Sequence, residues 1–385
     1  MTSETTTLES AARHAFDTAA DIDWRSHDPF DLLLSPYLGA VRRRTPLLAR
    51  VSVQIGKRSG ARIRRWLRVP THEEPKALAD YLRAAVLLSS SGRAWAASWV
   101  DPLVTRLRTT GVPSGRALGW GLAFPYVSRF TNAAAGTPNI YVTTAVAEAL
   151  LDAATLSGEP GVAECAHAGT RFVVEGLGTF THRGRRWLRY WPQNDARIVN
   201  VQASAAGLLA RVDALVGDPD LGALADDLID TVLATQRADG SWPYSDERAG
   251  SFIDGFHTGF TLQGLTEYAR RRSEGRRAAP AADAVRLGLR YFHERLMTPE
   301  GLPRGTSDGR VSLDTQNVGQ CIQTHVVCAR GAHDLTAALR LWSATAVGGT
   351  TKGSARDTAL RWSLGPHVLA TSHLLGALED RQRRD

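Results

Sequence analysis

Four times between residues 124 and 317, an apolar–Pro pair precedes a helix that opens on polar residues. Phe124-Pro125-Tyr126 leads to Asn139-Ile140-Tyr141, and Trp191-Pro192-Gln193 leads to Asn200-Val201-Gln202. Trp242-Pro243-Tyr244 leads to Asp254-Gly255-Phe256-His257, and Leu302-Pro303-Arg304 leads to Asp314-Thr315-Gln316-Asn317. The prolines are 67, 51 and 60 residues apart, about one helical hairpin plus its loops. After each polar opening the helix turns small and apolar (TTAVAEALL, ASAAGLLA, TGFTLQGL, VGQCI). Small side chains allow the close helix–helix approach that an inner ring requires. The intervening helices carry more charge, as an outer ring would.

Apolar residues at three- and four-residue spacing predict helices near 75–91, 94–110, 138–157, 161–176, 198–216, 220–237, 255–272, 281–297, 313–330, 334–347 and 361–379. Gly-, Pro-, Asp- and Ser-rich connections such as LSGEPG and RADGSWP separate them, and no run of alternating strands is evident. With one helix from the N-terminal region these make six hairpins, the count of an all-α (α/α)6 toroid. Inner helices of such a ring share an N-terminal end, so the four polar openings should converge on one cavity. The expected organisation is a toroid domain over 71–385 and an irregular, basic extension over 1–70 packed on it. In that extension Trp24, Phe30, Leu32–Leu34 and Tyr37 would meet the barrel, and 38–56 would form a basic amphipathic helix.

Composition excludes several classes. At 43% hydrophobic and 22% charged, the 385 residues are those of a soluble globular protein. No basic segment followed by an apolar one marks a secretory signal, and no apolar run approaches the roughly 20 residues of a membrane span. A cytoplasmic protein is expected. Cys165, Cys321 and Cys328 are too few and badly spaced for a disulfide framework or a CxxC metal site. The net charge of +7 is local: ten Lys/Arg and no acid lie between Arg42 and Arg68, leaving 36 basic against 39 acidic residues elsewhere. That segment reads as a solvated face, or as one that sits against an anionic glycan or an anionic membrane surface. Nucleic acid is not expected, since Trp66 is the only aromatic among these charges. No HExxH, GxSxG or Walker A motif occurs, so neither a metal nor a cofactor is called for.

Two short motifs bear on the fold and its chemistry. Gln236-x3-Gly240-x-Trp242 resembles the QW motif of squalene and hopene cyclases, in which the Gln caps a helix and the Trp stacks on it. Asp226-Asp227-Leu228-Ile229-Asp230 spells DDxxD, which in a terpene synthase would hold Mg²⁺. Here it falls on an outer helix, where a solvated acidic face is the expectation.

A broader resemblance rests on Asp23-Trp24 with Asp28-Pro29-Phe30-Asp31, on Asp239-Gly240-Ser241-Trp242-Pro243-Tyr244, and on Phe252-Ile253-Asp254 with Phe256-His257-Thr258-Gly259-Phe260. With these residues most of 75–380 resembles an α/α-toroid family encoded in bacterial polysaccharide gene clusters. It is also similar to the C-terminal domain of D-glucuronyl C5-epimerases and to six-hairpin glycosidases. The resemblance implies a carbohydrate-active enzyme acting by sugar epimerisation, or by glycosidic-bond cleavage or transfer. Such chemistry wants proton-moving side chains and aromatics that stack on sugar rings. The catalytic candidates are Asp254, His257, Asp314, Tyr190 and Tyr244, and the substrate-binding candidates are Trp191, Asn200, Trp242, Asn317 and Tyr141. Asp195 and Asp246 lie near the same expected end. Asp254 and His257, three apart on one helix, could form a hydrogen-bonded acid–base pair. Equally, Asp254 could be only an N-cap that accepts the amide of His257, and Asp314 and Asn200 carry the same ambiguity. Trp242 could be purely a packing residue. Two other functions stay open: a terpenoid cyclase-like enzyme with a deep aromatic cavity, and a non-catalytic assembly protein docked at a membrane through 42–68.

Overall fold

The structure is a computed structural model that describes residues 3–39, 45–128, 131–329, 331–346 and 359–384. Arg42, Arg43 and Arg44 of the basic segment lie outside the described residues, as do residues 40 and 41 of the helix expected over 38–56. The main helices are α1 (Ser3–Asp21), α2 (Pro46–Arg58), α3 (Ala61–Trp66), α4 (Pro75–Ser90), α5 (Val100–Thr110), α6 (Ile140–Ser157), α7 (Pro160–Arg171), α8 (Val199–Val216), α9 (Pro219–Thr235), α10 (Gly255–Arg271), α11 (Ala278–Tyr291), α12 (Thr315–Gln323), α13 (Ala332–Ala346) and α14 (Gly365–Gln382).

Alternate helices form an inner ring. Helix α4 packs on α6, α6 on α8, α8 on α10, α10 on α12 and α12 on α14, and α14 returns to α4. Helices α5, α7, α9, α11 and α13 each back the inner helix that precedes them, and α1 backs α14. The fold is therefore an (α/α)6 toroid whose last hairpin joins the two ends of the chain. Helix α1 is an element that the sequence pattern does not single out. It buries Leu8, Ala12, Phe16 and Ala19, a stripe at helical spacing.

Small residues set the inner packing. A Cβ at Gly264 of α10 would lie 2.3 Å from the Ala203 backbone of α8, and one at Gly207 would lie 3.1 Å from the Gly264 carbonyl. Side chains at these positions would force the two helices apart. Helix α6 is apolar and long enough to cross a membrane by length and composition alone, but here it is an inner barrel helix.

Three helices pass into single π turns at Phe172–Gly176, Phe292–Leu296 and Thr324–Ala329, and a fourth such turn, Leu360–Leu364, precedes α14. Short two-stranded ribbons decorate the loops. The longest pairs Thr179–His182 with Arg185–Leu188. Its turn residues Arg183 and Gly184 both take positive φ, 50° and 71°, as a tight primed hairpin turn requires.

Candidate active site at the N-terminal end of the inner ring

An axial cavity of about 1050 Å³ runs through the ring. Every inner helix contributes to its wall within the first turn: Lys76, Tyr141, Asn200, Phe256, Gln316 and Pro366. The four repeated openings read in the sequence therefore do meet on one cavity. Toward the opposite end the wall becomes ionic, with Arg83 bridging Glu148 and Asp152, and Arg211 also on Asp152. Along this wall Asp80 Oδ2, Thr144 Oγ1, Asn200 Oδ1 and Gln320 Nε2 are buried with no hydrogen-bond partner among the described residues. Buried polar atoms are costly unless satisfied. A ligand rich in hydroxyls would satisfy these.

Asp254 and His257 form a pair at this end of the ring. Asp254 is the N-cap of α10, its Oδ1 accepting the His257 backbone N–H at 2.8 Å. The His257 ring also sits on that carboxylate, with Nδ1 2.9 Å from Oδ1 and 2.8 Å from Oδ2. One carboxylate does both jobs. With its Nδ1 proton held there, the imidazole keeps Nε2 as a proton acceptor. The ring lies 4.4 Å from the Tyr244 ring, centre to centre, and is flanked by Phe252 and Phe256. Its helix neighbours Phe256 and Phe260 line the cavity; Asp254 and His257 stand at the rim and are not part of that wall.

An aromatic belt continues around the same end. Tyr190 stacks on Trp191 at 4.1 Å, Trp191 on Tyr126 at 5.9 Å, Tyr126 lies against Phe30, and Phe30 against Trp362. Burial raises the phenols of Tyr126, Tyr141, Tyr190 and Tyr244 above their ordinary value, so all four are neutral at physiological pH. Tyr190 and Tyr244 are thereby fitted to hydrogen-bond or stack as phenols, more than to titrate. Arg361, in the π turn before α14, exerts an opposing pull on each of the first three tyrosines. It is fixed by Asp28 through two bonds, Nε to Oδ2 at 2.7 Å and Nη2 to Oδ1 at 2.8 Å, with both side chains buried.

Glu74, the residue before α4, belongs to the same cluster. Burial pushes its carboxyl up to about 8, against the opposing pull of the Arg361 charge. Its Oε1 accepts the Ala123 N–H at 2.8 Å, while Oε2 is buried without a partner among the described residues. Sequence reasoning treats Asp28 only as a family marker and misses Glu74 and Arg361 altogether. The available signal is the DPFD segment itself, since a conspicuous Asp must be matched by a cation somewhere.

The remaining candidates take different roles. Tyr141 and Asn200 line the cavity. Asp314 is engaged by three donors, the N–H groups of Gln316 and Asn317 and the Trp362 indole at 2.9 Å, so it acts as a cap and fastener. Asn317 donates to the Arg304 carbonyl and lies so close to Gly255 that a Cβ there would approach its Oδ1 to 2.9 Å. Trp242 is off the wall. It is 2% exposed, donates to the Val232 carbonyl and packs its ring on Gly288 of α11. Gln236 donates to the Gly240 and Ala284 carbonyls, so the QW-like segment is a clasp between hairpins. Asp195 pairs with Arg189, and Asp246 with Arg197. The DDxxD carboxylates are taken up by arginines: Asp226 by Arg272 and Arg277, Asp227 by Arg186, and Asp230 by Arg277. None of the three is in the cavity wall.

No protein-family model matches the chain, and no curated protein matches it by sequence. Solved structures do match it. It is similar to cellobiose 2-epimerase from Spirochaeta thermophila (TM-score 0.59, 12% identity, covering 81% of this chain and 87% of that one). It is similar to a GH76 α-mannanase from Bacteroides thetaiotaomicron (TM-score 0.58, 12% identity, 81% and 87%). An unsaturated glucuronyl hydrolase specific for heparin superposes with a TM-score of 0.57 at 10% identity, over 82% and 89%. The fold they share with this chain is the six-hairpin α/α toroid.

Proposed function

We propose that this protein is a cytoplasmic carbohydrate-active enzyme that moves protons on a sugar held at the N-terminal end of the toroid, by epimerisation or by glycosidic-bond cleavage or transfer. The observation that carries this reading is the Asp254–His257 pair, an imidazole oriented by a carboxylate at the rim of a cavity with hydroxyl-hungry walls. His257 is the base and Asp254 orients it. Glu74, whose carboxyl burial pushes up to about 8, is a buried neutral acid at the same end of the ring. Tyr190, Trp191, Tyr141 and Tyr244 supply sugar-stacking faces and neutral hydroxyls, and Asn200 contributes an amide oxygen that the described protein groups leave unbonded. Toroids of this fold that epimerise cellobiose or hydrolyse mannan and unsaturated glucuronyl chains support the substrate class. The arginine-neutralised DDxxD face gives no support to diphosphate chemistry.

The test is incubation with cellobiose, α-mannan oligosaccharides and glucuronate-containing oligosaccharides in deuterated water. Epimerisation puts deuterium on the inverted carbon, and cleavage makes new reducing ends. Asp254→Asn keeps a good helix cap but removes the charge that holds the imidazole. This variant and His257→Ala should each lower kcat/KM by about 10²–10⁴. Full turnover by either would remove the pair from the chemistry.

The basic extension supports a second, compatible role at an anionic lipid surface. Helix α2 turns Ala49, Val53 and Gly56 inward, yet leaves Leu47, Leu48, Val51 and Ile55 exposed as a second apolar stripe. Trp66 of α3 is 79% exposed, and Arg50, Arg58, Arg62 and Arg65 surround these residues with no acid among them. Apolar groups framed by cations suit anionic headgroups over an acyl boundary. The chain should sediment with phosphatidylglycerol vesicles and not with phosphatidylcholine ones, and Arg58→Glu with Arg62→Glu should release it. Equal partition to both kinds of vesicle, or to neither, overturns this role.

A further inference from the structure

Two histidines and an aspartate meet where the fifth hairpin joins the ring, away from Asp254 and His257. His293 is the second residue of the π turn Phe292–Leu296, and His325 is the second residue of the π turn Thr324–Ala329. π turns insert a residue into the helical ladder and re-aim side chains, and they are common at functional sites. Here they bring two imidazoles into a parallel stack, 5.2 Å apart at 16°. Asp334, in the first turn of α13, faces both: its Oδ1 is 3.2 Å from His293 Nε2 and 3.4 Å from His325 Nδ1. Its other oxygen, Oδ2, accepts the Gly331 N–H, which fixes the direction in which Oδ1 points. Phe292 packs an edge against each imidazole and closes the apolar side.

We infer that His293, His325 and Asp334 form a divalent transition-metal site, with Zn²⁺ the best-fitting ion. The three ligand atoms lie within 4.8 Å of one another. A tetrahedral ion bound at about 2.0–2.1 Å sets its ligands roughly 3.3 Å apart, and the two measured edges, 3.2 and 3.4 Å, bracket that value. Two imidazoles and one carboxylate are the donors of zinc sites that keep a fourth position for water or a small anion. One carboxylate oxygen, Asp334 Oδ1, thus faces a nitrogen of each imidazole, so all three donor atoms converge on one point. His325 stands between this cluster and the axial cavity. It is 3% exposed, it lines the axial cavity, and its Nε2 has no partner among the described residues. The long 3.4 Å approach of Nδ1 to Asp334 does not pin the proton there, so the ring can carry it on Nε2 and present Nδ1 bare to a metal. A bound ion would join the ends of α11 and α12 to the start of α13, holding the fifth hairpin closed beside the cavity wall.

The experiment uses the whole chain, stripped with a chelator and then titrated with Zn²⁺ and, separately, with Co²⁺. One equivalent should bind, with the visible d–d absorption of a four- or five-coordinate Co²⁺ ion, and Zn²⁺ should raise the melting temperature. His293 stands at the exposed edge, so His293→Ala should fold as the parent does. Its Zn²⁺ affinity should fall by at least about 100-fold, beyond the 10–100-fold typical of losing an outer-shell partner, and the Co²⁺ spectrum should vanish. Asp334→Asn should behave in the same way. Stoichiometric binding unchanged in both variants, or no Zn²⁺ uptake by the stripped parent, overturns the assignment.

Discussion

Burial holds the Glu74 carboxyl protonated up to about pH 8, and that single group makes stability depend on pH in an unusual direction. Its folded value lies above its unfolded one, so its contribution is fully present below about 4.5 and is lost as pH rises through about 8. Glu74→Gln keeps the neutral shape and removes the titration. Urea denaturation of both proteins between pH 5 and 9 should show the parent losing stability relative to the variant as pH rises. A constant difference across that range would mean that Glu74 is ionised throughout. Asp254 shows why single residues are only half legible in the sequence. An N-cap carboxylate reaches the amide three residues on, and the side chain at that position stands on the same face of the helix. Cap and acid–base pair therefore share one spacing, and the structure shows both on one carboxylate. Trp191 and Trp242 carry the same local signature, Trp-Pro. Their different fates depend on partners far along the chain, Tyr126 for one and Gly288 for the other.

At the scale of elements, the repeat is readable in the sequence and the departures from it are not. Three- and four-residue periodicity locates the helices of 75–380 because each buries a continuous apolar face, and the small residues of α8 and α10 mark the inner ring correctly. The close approach of Gly264 to the Ala203 backbone is the physical content of that pattern. The π turns are invisible, since inserting one residue leaves the surrounding apolar spacing almost intact while rotating the side chains beyond it. Yet these turns carry His293, His325 and Arg361, three of the most chemically suggestive side chains in the fold. The hairpin at 179–188 hides behind its charge: Arg185 and Arg186 face solvent while Trp187 and Leu188 are buried, so no clean alternation announces it.

At the scale of the molecule, the ring is closed by residues from its two ends, and that closure has a measurable consequence. Phe16 of α1 packs against Tyr81 of α4 at 5.1 Å and against Trp95 and Trp99. Tyr81 donates its hydroxyl to the Ala15 carbonyl, and Arg93 joins Glu9 of α1 to Glu379 of α14. Asp28 and Arg361, 333 positions apart, seal the same seam at the end where the candidate site lies. A core deletion at Phe16 should thus loosen more than its own helix. Phe16→Ala removes a fully buried ring, for which about 3–5 kcal/mol is the usual cost. Hydrogen exchange should speed up in α1, in α14 and in α4, the helices on either side of the seam, while α8 and α10 across the ring keep their protection. Acceleration confined to residues 3–21 would show that α1 is an appendage and that the remaining hairpins hold the ring shut without it. Acceleration spread evenly over all six inner helices would show a ring that opens only as one unit.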